Sequence, residues 1–125
     1  MAAKKPVSKK PHEDWPIWKL GMRLTIEVYR ATEDLPSKEM YGFQSQMRRA
    51  ALSIPSNIAE GAGRRTQGDL RRFLCNARGS LSELETQIKL TKYLKLLDGE
   101  VVDHLLETSG HLSRALQAFI DKINV

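Results

Sequence analysis

Seven arginines lie between Tyr41 and Gln87: Arg48, Arg49, Arg64, Arg65, Arg71, Arg72 and Arg78. Across residues 40–78 the opposing carboxylates are Glu60 and Asp69, so this stretch carries a net charge of +5. Arginine suits phosphate because its planar, permanently charged fork donates two hydrogen bonds at once. On a helical wheel centred on Ala77, Arg64, Arg71, Arg78 and Lys89 fall together roughly 100–140° from the core. Arg65 and Arg72 form a second stripe on the other flank. Rows of this kind on a rigid helix can hold a nucleic-acid backbone with little base preference and strong salt sensitivity. The competing reading is a solvated face whose arginines pair with acidic groups, the last helix being the source.

Other chemistry is poorly supported. His104 and His111 stand seven residues apart, with Glu107 between them. Helical metal pairs use a spacing of three or four, and seven residues separate side chains by roughly 10 Å. The pair therefore reads as a solvated face, and His12 lies in a terminal arm. Cys75 has Arg71, Arg72 and Arg78 nearby but no neighbouring histidine to act as a base, which fits a bystander or interface thiol. No P-loop, dinucleotide fingerprint or Ser-His-Asp pattern is present, and Gly61-Ala62-Gly63 lacks the preceding strand of a phosphate-cradling loop. These residues point away from an enzyme, and no cofactor or metal is expected.

The elements that position these groups are helices. Residues 1–13 read as a disordered basic arm, with Lys4, Lys5, Lys9 and Lys10 broken by Pro6 and Pro11. The domain proper is expected over 14–125. Asp14 is a candidate N-cap and Pro16 suits the first turn. Ile17, Leu20, Leu24, Val28 and Ala31 then recur on one helical face, widened by Trp18, Met22 and Tyr29. The helix is expected to end near Asp34, because Pro36 disfavours helical geometry at Leu35.

Ser37 is a candidate cap for a second helix with a core stripe of Phe43, Met47, Ala50, Ile54 and Ile58. Pro55 predicts a kink or short break by removing a donor and crowding the Ala51 carbonyl. Leu52, Pro55 and Ala59 fall roughly 140° from that stripe, which makes the helix apolar on two sides. The second side is expected to pack on another subunit, with Arg49, Ser53, Ser56 and Glu60 forming a polar stripe between. Gly61 and Gly63 end the helix, and Thr66 stands three residues before Asp69 as a cap. Leu70, Phe73, Leu74, Ala77, Leu81, Leu84, Ile88 and Thr91 define the third helix, to about Leu97. Gly79-Ser80 inside it would admit a close neighbouring helix. After the Asp98-Gly99 turn, Val102, Leu105, Leu112, Leu116, Phe119 and Ile123 define the fourth.

Four amphipathic helices without a strand pattern give an all-α fold, an antiparallel up-down four-helix bundle. At 125 residues the chain is one domain. The absence of an apolar run of ~20 residues predicts no membrane span, and the amino-terminal residues lack a secretory pattern. The single cysteine fits a reducing cytoplasm. Residues 98–125 carry a net charge of −3, so a basic middle is followed by an acidic end.

Two blocks carry a resemblance. YGF..Q.RRAA.SIPSNIAEG, Tyr41–Gly61, and FL..ARGSLSELETQ, Phe73–Gln87, resemble the signature of a small bacterial family of four-helix-bundle proteins encoded in intervening sequences of 23S ribosomal RNA genes. Trp18, Tyr29, Leu35-Pro36, Glu39 and Tyr41-Gly42 fit the same pattern, and the match spans roughly residues 15–97. The resemblance implies a ring-shaped homo-oligomer, a pentamer in its relatives. A related branch, the accessory variability proteins of diversity-generating retroelements, consists of basic barrels that associate with a reverse transcriptase and nucleic acid. This implies RNA or DNA contact at Arg48, Arg49, Arg64, Arg65, Arg71, Arg72 and Arg78. The acidic last helix departs from a uniformly basic barrel. The expectation is a non-enzymatic, nucleic-acid-binding oligomer. The alternative is an oligomeric scaffold for a partner protein, with the arginines serving subunit contacts.

Overall fold

A computed structural model describes residues 9–124. Among these the protein is all helical: α1 (Pro16–Ala31), α2 (Ser45–Ala62), α3 (Gln67–Tyr93) and α4 (Gly99–Asp121), with no strand. Consecutive helices pack against one another and α4 returns against α1. Residues 1–8 of the expected arm lie outside the described residues. Its end is ordered: Pro11–Asp14 form a 3-10 turn, and the His12 ring lies edge-on to Trp15 and Trp18.

Pro16 opens α1 at a position where no amide partner is needed. Asp14 does not cap it; the N-cap is Trp15. Asp14 instead meets Lys9 at 2.6 Å on the surface. That hydrogen bond and charge hold its carboxyl below the usual range. Ile17, Leu24 and Val28 are buried as the spacing predicts. Met22 and Tyr29 are not part of that face. Together with Ile26 they point outward, leaving an exposed apolar stripe on α1. The helix stops at Ala31, three residues before the expected end, and the Thr32 hydroxyl donates to the Val28 carbonyl at 2.8 Å.

A 3-10 turn (Ser37–Glu39) and a π-helical turn (Met40–Gln44) lead into α2. Met47, Ala50, Ile54 and Ile58 are buried, and so are Ala51 and Pro55. Pro55 corrects the expected subunit face. It packs against α1, where a Cβ built on Gly21 would contact Pro55 Cβ and Cδ at 3.5 Å. The second apolar flank of α2 is thus partly consumed within the chain, because α2 lies between α1 and α3 and is buried over a wide arc. Leu52 remains half exposed and Ala59 partly so. The helix runs unbroken through Pro55. The Thr25 hydroxyl lies 3.1 Å from the Ala51 carbonyl oxygen that lacks the proline donor.

Thr66 caps α3 as expected, its Oγ1 accepting from the Asp69 amide at 3.0 Å. Phe73, Leu74, Ala77, Leu81, Leu84, Ile88 and Thr91 are all buried along this helix. The close helix approach is at Gly61, where a Cβ would stand 2.8 Å from Phe73 Cβ. Gly79 has open space instead, so the predicted close neighbour is not supplied by the described residues of this chain. α3 ends at Tyr93. Lys95 takes a left-handed φ of 55°, and the Leu96 amide donates to Thr91 O at 2.8 Å. This is a Schellman closure with lysine where glycine is usual.

Candidate nucleic-acid interface

Four of the predicted phosphate contacts gather where α2 hands over to α3. Arg64 and Arg65 lie in the connection, and Arg71 and Arg72 follow one turn into α3. Phe73 organises two of them. The Arg64 guanidinium lies 4.8 Å and that of Arg72 4.5 Å from the centre of its ring. Such cation–π contacts contribute roughly 0.5–1 kcal/mol at exposed sites. Arg64 Nη2 also donates to Glu60 Oε1 at 3.1 Å, and Arg72 Nη2 stands 3.6 Å from Asp69 Oδ1. Arg65 and Arg71 are exposed, and neither makes a side-chain hydrogen bond or ion pair among the described residues. Four guanidiniums therefore face two carboxylates, and the two unpaired groups are the ones free to take an external anion.

The stripe drawn through Arg64, Arg71, Arg78 and Lys89 is not one surface. Arg78 turns toward α4, where its Nη1 donates to Gln117 Oε1 at 2.8 Å. Its Nη2 lies 3.8 Å from Cys75 Sγ. Cys75 is half-buried at the edge of the core rather than projecting away from it. The partner of Arg78 on the last helix is an amide, not the carboxylate expected of charge pairing. Lys89 is exposed further along α3.

Arg48 is likewise a structural group. Its Nε donates to Thr32 Oγ1 at 3.0 Å and its Nη2 to the Tyr29 carbonyl at 2.9 Å. The guanidinium lies 4.6 Å from the Tyr29 ring centre. A cation here satisfies the Tyr29 carbonyl in the last turn of α1 and complements the negative end of its dipole. Gln44 adds a hydrogen bond to Thr32 O at 2.9 Å. Arg49 is exposed and makes no such contact. The expected polar stripe of α2 is largely turned inward on its own helix. Ser53 donates to Ala50 O at 2.7 Å, Ser56 to Leu52 O at 2.9 Å, and Glu60 holds Arg64. Arg48, Arg49, Leu52, Ser53 and Ser56 line an open groove of about 610 Å³ with Tyr29 and Tyr41.

Glu27 carries a cluster that the pattern did not signal. Its side chain is only 16% exposed between α1 and α4. It receives Arg23 Nε at 2.8 Å, His104 Nε2 at 2.7 Å and Thr108 Oγ1 at 3.2 Å. A lone carboxylate on the flank of an apolar stripe was the available cue. His104 is therefore tied to α1 rather than merely solvated. His111 stands 4.0 Å from Glu107 and beside Arg114. Among the described residues no three His, Cys, Asp or Glu side chains are grouped to hold a metal. No described helix is long and apolar enough to cross a membrane.

The family described as 23S rRNA-intervening sequence protein matches residues 13–118, and the chain belongs to it. No curated protein matches the chain. Among solved structures, the chain is similar to a protein of unknown function from the S23 ribosomal protein family of Bacteroides thetaiotaomicron, determined at 1.70 Å resolution. The TM-score is 0.77 at 16% identity, covering 85% of this chain and 96% of that one, a likeness of fold.

Proposed function

We propose that this member of the family is a non-enzymatic, homo-oligomeric up-down bundle that binds the phosphate backbone of nucleic acid at the α2–α3 end. The observation that carries the reading is the pair Arg65 and Arg71, exposed and unpaired beside two arginines already anchored on Phe73. Arg64 and Arg72, held on the Phe73 ring, keep their positive charge beside that pair and raise the local concentration of an anion. Such a site reads charge and not base identity. The test is duplex RNA or DNA binding as a function of salt, with Arg65→Glu/Arg71→Glu as the disabling variant. Arg48 and Arg78 leave the set of phosphate ligands, since both hold other helices in place.

A specific observation also favours assembly. Met22 and Ile26, four residues apart, form an exposed apolar stripe on α1. Apolar surface in a continuous stripe marks a contact face more often than isolated exposed residues do. The proposed subunit face is this one, in place of a face centred on Pro55. The same face would serve the second reading, a scaffold for a partner protein. An oligomer that forms regardless of salt and ignores nucleic acid favours that reading.

A further inference from the structure

The groove beside α2 reaches toward the opposite end of that helix from the basic turn, Arg49 being roughly 20 Å along the axis from Ala62, where the turn begins. Its lining differs in kind. Tyr41 is 88% exposed on the π-helical turn, and Tyr29, 40% exposed as a residue, lines the same groove with Arg48 over one face of its ring. No carboxylate is among the residues that line it. Arg48 is committed to Thr32 and to the Tyr29 carbonyl, so it fixes the Tyr29 ring rather than seeking an anion. Arg49 is the cation left over. Ser45 stands beside it with its hydroxyl making no hydrogen bond among the described residues.

From this we infer that the groove binds single-stranded nucleic acid. A base stacks on Tyr41, Tyr29 supplies a second aromatic surface, and Arg49 takes the intervening phosphate. Exposed aromatic rings beside an unpaired cation are the elements by which proteins hold single strands without reading sequence. A duplex hides the faces of its bases within its own stack, so it offers these rings nothing and engages only the arginines. The inference deepens the nucleic-acid reading above and rests on it. It adds Tyr29 and Tyr41 as binding residues and unpaired bases as the feature they recognise.

The test is fluorescence anisotropy with a labelled oligo-uridine 12-mer and a labelled RNA duplex of equal length, with light-scattering mass recorded for each variant. Tyr41→Ala is expected to weaken the single strand about ten-fold and leave the duplex unchanged. Tyr41→Phe, which keeps the ring, is expected to stay within about two-fold of wild type, since stacking does not use the hydroxyl. Arg49→Glu is expected to weaken the single strand as well. Equal single-strand affinity in Tyr41→Ala and wild type overturns the inference, as does an equal loss on both probes. A changed mass in Tyr41→Ala also overturns it, because the ring then contacts a second copy. A wild type that binds the duplex but not the single strand removes this groove and leaves the basic turn standing. Failure to bind either probe removes both.

Discussion

The Thr25 hydroxyl lies 3.1 Å from the carbonyl oxygen of Ala51 and 2.8 Å from that of Gly21. One hydroxyl proton thus serves two helices. Ala51 is the residue whose carbonyl would accept the amide of position 55, and Pro55 has none. The same proline packs its ring beside Gly21, so α1 both receives the proline and repairs the hydrogen bond it removes. This explains how α2 passes through Pro55 without a break.

Replacing Thr25 with valine keeps the shape and deletes the donor. An unsatisfied buried carbonyl costs about 1–3 kcal/mol. Thr25→Val is expected to lower unfolding stability by about that amount in urea, whereas Thr25→Ser retains most of it. Equal stability for Thr25→Val and wild type would show that the Ala51 carbonyl finds another donor.

Two buried glycines respond differently to the same change. At Gly61 a Cβ would stand 2.8 Å from Phe73 Cβ and 3.3 Å from the Leu70 carbonyl oxygen, too near for either side to yield cheaply. Gly61→Ala is expected to destabilise by about 1–3 kcal/mol through overpacking. At Gly21 the nearest atoms are at 3.5 Å, ordinary contact. Gly21→Ala is therefore expected to be neutral or to gain up to about 1 kcal/mol of helix propensity. Thermal melts of both variants check the order.

Among the described residues, Lys95 is the non-glycine residue held at positive φ. Its side chain adds nothing to the two bonds that close α3, which are made by the backbone at Lys95 and Leu96. Lys95→Gly is expected to stabilise by about 0.5–1 kcal/mol by relieving the Cβ clash of the left-handed region. Chemical denaturation with an unchanged slope would report it.

Assembly is expected to depend on the outward face of α1. Met22 is 39% and Ile26 47% exposed, so a charge at either is harmless to the fold of a single chain. Met22→Glu and Ile26→Glu are each expected to lower the light-scattering mass toward one 14.2 kDa chain while helical content is kept. An oligomer of unchanged mass in both variants would place the subunit contact elsewhere.

Much of the fold was legible because its signals are local. The four-three spacing from Phe73 to Thr91 is buried throughout, and the Thr66 cap needs only two residues three apart. Pro55 is buried and Met22 and Tyr29 are exposed, against what their apolar spacing predicts. Apolar character does not say which neighbour a residue meets, and α2 is covered on two sides by its own chain. The arginines divided on contacts no spacing encodes: Arg48 found the end of α1, Arg78 found Gln117, and Arg64 and Arg72 found Phe73. Glu27 carries no local signal because its partners, His104 and Thr108, lie about eighty positions along the chain.

Arg65 and Arg71 are expected to bind phosphate. The most direct measurement is duplex RNA affinity of wild type and Arg65→Glu/Arg71→Glu by anisotropy across a salt series. Wild-type affinity is expected to fall linearly on a log–log salt plot, and the variant is expected to bind weakly with the slope reduced by about two. A variant that keeps wild-type affinity and slope would contradict the claim.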